Sequence, residues 1–270
     1  RGLGAVAKTL SMDMRAQDRA WLKLKLDTLA RTRGEEMFDM PFPPHGENKR
    51  MPGVVAAVAQ VVRYRVEQLC GNLDEKVPTP VRDSMFSLQE PKTGTDGTLS
   101  WTVDVRNPAS GEDFVLGLKE IMMPDGVTRP YAMFLSGFYP RALDALARLL
   151  SLDMRVVDPA WIGMKLRKLL NYSEPLGDFL AFVPGERKQQ TWPSTVAYLA
   201  RLIIHRYAML GVLDEHGYPR QEMGILEAPR DNGAPKVMQG ALCVECGNYT
   251  VIKKDGCDFC TACGAVGSCG

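Results

Sequence analysis

The sequence predicts an α+β fold: a duplicated three-helix unit, a small antiparallel sheet before the second copy, and a cysteine-rich ribbon at the C-terminus. Three observations predict it. Residues 1–29 align without gaps on 141–169, with 15 of 29 positions identical. Alternating apolar stretches lie between residues 101 and 135, just ahead of the second copy. Six of the seven cysteines fall in the last 28 residues.

The repeat orders the chain. Ser11-Met-Asp-Met-Arg15, Asp18 and Ala20-Trp21 meet Ser151-Leu-Asp-Met-Arg155, Asp158 and Ala160-Trp161 at an offset of 140. At an offset of 141 the match resumes, with Pro52, Val55, Ala56, Ala59 and Arg65 against Pro193, Val196, Ala197, Ala200 and Arg206. Each copy reads as three helices. The first covers about 1–14 and 139–154, with Leu and Ala at helical spacing. The second covers 20–31 and 160–171, with Asp18 and Asp158 placed to cap it. A Pro- and Gly-rich loop follows (Pro41–Pro52, Pro184–Pro193), and proline in the first turn then starts a third helix over 52–69 and 193–210.

Ahead of copy two, Trp101–Val105, Phe114–Leu118 and Tyr131–Leu135 read as strands, joined by turns at Asn107–Gly111 and Pro124–Gly126. Copy one shows no such strands, and Arg1 opens straight into helical pattern, so the chain reads as a C-terminal piece of something longer. The expected domains are therefore 1–70 (first copy, truncated at its N-terminus), 96–212 (second copy), 213–240 (a flexible linker rich in Gly and Pro) and 241–270 (the ribbon).

Composition excludes several classes. With 33 basic and 32 acidic residues the chain lacks the basic excess of a nucleic-acid binder, so no direct nucleic-acid contact is expected. No apolar run approaches the roughly 20 residues that span a bilayer, and no secretory signal is present, so a soluble, cytoplasmic protein is expected. Cysteines confined to one end do not describe a secreted disulfide scaffold.

The tail instead has the spacing of a metal site. Cys243-Val-Glu-Cys246-Gly247 and Cys260-Thr-Ala-Cys263-Gly264 are two knuckles. Two residues between paired thiolates let one turn present both sulfurs to a zinc ion, and the following glycine permits the positive φ of that turn. A thirty-residue module has too small a core to fold alone, so the metal supplies its folding energy. The expected ligands are Cys243, Cys246, Cys260 and Cys263; Cys243, Cys246, Cys257 and Cys260 form the alternative set. Four coordination places leave two cysteines over, Cys257 and Cys269 on the first assignment. They read as a dithiol pair for disulfide exchange, against the plainer reading of two idle thiols.

Elsewhere the signals are structural. Cys70 reads as a small buried hydrophobe, and Trp21 and Trp161 as core anchors. Asp13/Arg15 and Asp153/Arg155 read as helix-end capping and ion pairing, with a ligand-binding pair as the alternative. His45, His205 and His216 have no metal spacing.

From Cys243 to the end, the pattern Cys-x-x-Cys-Gly-Asn … Lys-x-Asp-Gly-Cys-x-x-Cys-x-x-Cys-Gly … Cys-Gly resembles the C-terminus of adenosylcobalamin-dependent (class II) ribonucleotide reductases. The helical repeat with its upstream strands resembles the small domain that often precedes that tail. The resemblance implies an oxidoreductase acting on ribonucleoside diphosphates. In that family a catalytic barrel binds adenosylcobalamin, a disulfide forms at each turnover, and a mobile C-terminal cysteine pair re-reduces it. A thioredoxin- or glutaredoxin-type donor recharges the pair. This sequence carries no barrel, no cysteine trio and no cobalamin site. The resemblance therefore implies a fragment or small subunit, inactive alone, with Cys257 and Cys269 as the relay. The competing reading is a non-enzymatic adaptor with a structural zinc ribbon.

Overall fold

The computed structural model describes residues 1–16, 18–73, 95, 97–122, 127–156, 158–220, 225–226, 237–238, 240–245, 249–254, 257–260 and 265–269. It is a mixed α+β structure, with six helices and small antiparallel sheets among the described residues.

Helix α1 (Leu3–Arg15) buries Ala5, Val6 and Leu10, while the Thr9 hydroxyl, also buried, donates back to the Ala5 and Val6 carbonyls. Helix α2 (Arg19–Ala30) starts where the Asp18 carboxylate accepts the Trp21 amide at 3.0 Å, the expected cap. Strands β1 (Phe38–Phe42) and β2 (Glu47–Met51) then form an antiparallel hairpin, and helix α3 (Val54–Cys70) follows.

The expected loop at 41–52 is thus largely a hairpin. A two-stranded ribbon is all edge, so Pro41 can sit in β1 without breaking an interior ladder. Pro52 also stands before the helix rather than in its first turn, because Gly53 takes the cap position.

A three-stranded antiparallel meander comes next: β3 (Ser100–Asn107), β4 (Glu112–Met122) and β5 (Thr128–Phe138). It contains all three expected strands and extends each of them. The helical order then recurs, as α4 (Ala142–Met154), α5 (Pro159–Leu170), the hairpin β6 (Phe179–Phe182) with β7 (Gln189–Trp192), and α6 (Thr195–Met209). Asp158 caps α5 through the Ala160 amide at 2.8 Å. Ser194 caps α6, accepting the Ala197 amide at 3.1 Å while donating to the Tyr172 carbonyl at 2.6 Å. Pro193, like Pro52, precedes the cap.

The sheet covers α4 and α6. The Met133 amide of β5 donates to the Ser151 hydroxyl at 2.9 Å, and the Tyr207 hydroxyl donates to the Pro130 carbonyl at 3.1 Å. Arg206 makes two bonds to the Glu120 carboxylate, at 2.6 and 2.7 Å. A continuous apolar core runs from Leu10 and Leu26 through Leu146 and Leu150 to Leu116, Ile203 and Tyr207.

The segment expected to be a linker from residue 213 begins as a packed turn. Leu213 is fully buried and bridges to Pro219, and the Asp214 carboxylate accepts the amides of His216 and Tyr218. Strands β8 (Ile225–Leu226) and β9 (Val237–Met238) pair further on; the other positions of 221–239 lie outside the described residues. The tail forms a four-stranded antiparallel sheet in the order β10 (Ala241–Leu242), β11 (Tyr249–Lys254), β12 (Cys257–Cys260), β13 (Val266–Cys269). No described helix is long and apolar enough to cross a membrane.

Candidate metal and redox centre

The cysteine sheet rests on a seat built by α1, α2, α4 and α5. At its base lie four fully buried charges, Asp13, Lys25, Asp153 and Lys165. Each lysine reaches across to the other half of the chain. The Lys25 ammonium meets the Asp153 carboxylate at 2.7 Å and the Lys165 ammonium meets Asp13 at 2.6 Å. The pairs within each half are longer, 3.9 Å for Lys25–Asp13 and 3.8 Å for Lys165–Asp153. Lys25 also donates to the Leu149 carbonyl at 2.7 Å, and Lys165 to the Thr9 carbonyl at 3.0 Å.

Each carboxylate accepts an indole N–H as well, Trp21 on Asp13 at 2.8 Å and Trp161 on Asp153 at 2.7 Å. The lysines lie over the faces of the same indoles, at 4.7 Å for Lys25 and 5.2 Å for Lys165. The second oxygens of both carboxylates accept no hydrogen bond among the described residues. Burial pushes the Asp153 carboxyl above the ordinary carboxylate range, and burial likewise holds the Lys25 ammonium below its usual value.

The two indoles meet edge to face, 6.4 Å between centroids. With Met12, Val156 and Met164 they form an apolar patch that receives Cys243 and Cys260 from the tail, with Val251 and Ala265 at its rim. Both cysteines are buried, at 3% and 1% exposure, and neither is in a disulfide. The Cys260 amide donates to the Ala265 carbonyl at 2.8 Å. Across the sheet, Val251 stands opposite Cys260, and a Lys253–Asp258 ion pair at 3.2 Å joins β11 to β12 on the exposed side.

Cys257 has a different state: it is disulfide-bonded. The register of β12 on β13 places Cys269 directly opposite it. Of the expected zinc ligands, the structure therefore brings Cys243 and Cys260 to one buried cluster, while Cys246 and Cys263 lie outside the described residues. Among the described residues, no group of three or more His, Cys, Asp or Glu side chains could hold a metal ion.

The structure differs from the sequence expectation at two places. Cys70 is exposed at the C-terminal end of α3 rather than buried, because the last turn of that helix projects beyond the core. Asp13 and Asp153 do form ion pairs, but with lysines of the opposite half instead of the arginines two residues on. Arg15 is exposed, and Arg155 donates to the Tyr131 carbonyl at 3.4 Å.

Sequence reasoning missed the lysines, although a signal was present. Lys25 and Lys165 are identical across the repeat, sit four residues after the tryptophans, and fall on the same helix face as Leu22, Leu29, Ile162 and Leu169. The tryptophans are buried, as expected of core anchors.

A separate cleft of about 720 Å³ lies between the β6–β7 hairpin and α6. Its Glu215 carboxylate already engages Arg201 at 2.7 Å and His205 at 3.1 Å. No family model matches the chain, and no match is found among curated proteins or solved structures.

Proposed function

We propose that this chain is the C-terminal part, fragment or small subunit, of an adenosylcobalamin-dependent ribonucleoside-diphosphate reductase, and that its tail re-reduces the active-site disulfide. The observation that carries the reading is the unequal state of the tail cysteines. Cys257 is disulfide-bonded, and the backbone of Cys269 stands opposite it in the strand register, whereas Cys243 and Cys260 are buried outside any disulfide. That division matches a module in which four thiolates hold a metal and two thiols carry electrons.

In this reading Cys243, Cys246, Cys260 and Cys263 hold one zinc ion, and the two of them that are described fit by burial and by lying in one cluster. The disulfide at Cys257 favours this set over the one that includes Cys257, since a sulfur in a disulfide is not a thiolate ligand. Bound zinc supplies a redox-inert crosslink that holds the shape of the ribbon. Adenosylcobalamin belongs to the barrel, and no residue of this chain is assigned to it.

The chemistry is thiol–disulfide exchange. A thiolate of the Cys257/Cys269 pair attacks one sulfur of the barrel's disulfide, forming a mixed disulfide and releasing the other barrel sulfur as a thiolate that takes up a proton. The second tail thiolate then attacks the mixed disulfide, forming the Cys257–Cys269 bond and freeing the second barrel thiol. Two electrons and two protons pass from tail to barrel, and an external dithiol of the thioredoxin or glutaredoxin type restores the pair. Neither the donor nor the barrel is a nucleic acid or a membrane.

We further read the two helix–helix–hairpin–helix runs as copies of one unit related by an approximate two-fold. The reciprocal contacts support this: Lys25 to Asp153 and Leu149 is mirrored by Lys165 to Asp13 and Thr9, every pair offset by 140.

The test joins metal analysis to thiol titration. One zinc per chain is expected, with two tail thiols cycling between dithiol and disulfide while the metal stays bound. Cys257→Ser with Cys269→Ser should abolish multiple turnover with a dithiol donor beside a catalytic barrel, yet leave a single turnover intact. Unchanged multiple turnover would sink the relay. A second reading, a non-enzymatic adaptor, draws on the close seating of Cys243 and Cys260 on the helical body, and it expects no redox cycling at Cys257.

A further inference from the structure

The two halves differ in what covers their third helix. In the second half α6 lies beneath the β3–β5 sheet, so Thr195, Leu199 and Leu202 are 3%, 2% and 3% exposed. Their counterparts on α3, at the offset of 141, are Val54, Val58 and Val61, which are 53%, 40% and 37% exposed. These valines recur at i, i+4 and i+7, a stripe along one face. Valine is only a moderate helix former, so an exposed row of it has no local reason to be there. The same contrast holds at the first helix, where Met14 is 43% exposed and its counterpart Met154 is 1% exposed.

The polar groups that anchor the sheet in the second half are retained in the first. Ser151 receives the Met133 amide, Arg155 donates to the Tyr131 carbonyl, and Arg206 forks onto Glu120 above the Trp101 ring. Their counterparts Ser11, Arg15 and Arg65 are the same residue types, and all three are exposed. The Ser11 hydroxyl back-bonds to the Ala7 carbonyl at 2.8 Å, as Ser151 does to Ala147 at 2.7 Å. Arg65 instead turns along its own helix, donating to the Gln68 side-chain oxygen at 3.1 Å.

We propose that the open face of α1 and α3 is a docking site for a three-stranded antiparallel β-sheet of the β3–β5 kind, one that presents an apolar face to Val54, Val58 and Val61 and a carboxylate to Arg65. The occupant follows from the equivalent face of the same chain, where such a sheet is seated on the same anchoring residue types. This goes beyond the redox reading and does not depend on it.

The experiment supplies that sheet. A second copy of residues 97–140 is placed directly before Arg1 of the full chain, so that the added Pro140 precedes Arg1 as it precedes Arg141. Hydrogen exchange of α3 amides in the extended chain should slow by about tenfold or more. Arg65→Glu should reverse the slowing in the extended chain, yet change α3 exchange less than about twofold in the original chain. Native exchange rates in α4–α6 report that the extended chain has folded.

In the original chain, Val58→Lys with Val61→Lys should leave the thermal midpoint within about 2 °C while removing binding of a hydrophobic dye. The proposal is overturned by α3 exchange that does not respond to the added sheet, or by protection that ignores Arg65→Glu. Unfolding of the Val58→Lys/Val61→Lys chain overturns it too, because the face is then core. So does concentration-dependent dimerisation of the original chain that protects α3, which makes a second copy the occupant. Loss of existing α3 protection on replacing 74–94 with a Gly/Ser linker of equal length overturns it as well, since the chain then covers its own helix.

Discussion

Lys25 and Lys165 are the residues on which the two halves depend most directly. Each is completely buried, meets a carboxylate of the opposite half at under 3 Å, and completes its shell with a carbonyl and an indole face. Removing one partner leaves an uncompensated buried charge, so Lys25→Met should destabilise the fold by about 3–5 kcal/mol. Adding Asp153→Asn removes the orphaned carboxylate while keeping an acceptor for the Trp161 N–H. The double variant should therefore be more stable than the sum of the two single losses, by about 1–3 kcal/mol. Urea midpoints of the cycle give the number, and strict additivity would show that the pair is not coupled. By the reciprocal geometry, Lys165→Met should behave like Lys25→Met.

At the scale of elements, the third helices begin differently although their sequences align. Ser194 caps α6 with its side chain and ties the cap to the Tyr172 carbonyl, so Ser194→Ala should lose about 1–2 kcal/mol. Cap preference alone would make Gly53→Ser an improvement at the start of α3. The opposite is expected, because a Cβ at Gly53 would lie 2.5 Å from the Gly34 amide nitrogen and 2.6 Å from its Cα. That backbone contact brings the loop before β1 against the start of α3. Thermal midpoints of both variants test the pair, and a rise for Gly53→Ser would mean that the loop moves aside easily.

Across the whole molecule, the tail and the helical body share one apolar patch, so the state of one reads out on the other. Under the proposed function, chelating the zinc removes the crosslink that folds the ribbon and withdraws Cys243 and Cys260 from the indoles. Trp21 and Trp161 should then become accessible to a neutral quencher and their emission should shift to longer wavelength. The helical signal of the body should persist, because its own core runs through all six described helices. Unchanged tryptophan emission on complete loss of metal would separate the ribbon from the seat.

Much of this architecture is legible in the sequence, because its determinants are local or internally repeated. Helical spacing, the Asp18 and Asp158 caps and the alternating strands act within a few residues, and the offset of 140 is visible by alignment alone. The hairpins at 38–51 and 179–192 were hidden, since a two-stranded ribbon accepts proline and polar residues that otherwise signal loop. Tertiary structure decided the rest. Only packing brings Asp13 to Lys165 and Asp153 to Lys25, turning an unremarkable helix lysine into a buried charge, because a Coulomb partner more than a hundred residues away leaves no local pattern. Packing likewise decided that Cys243 and Cys260 sit on the tryptophan pair, and that a sheet covers α6 while the Val54, Val58 and Val61 stripe of α3 is exposed.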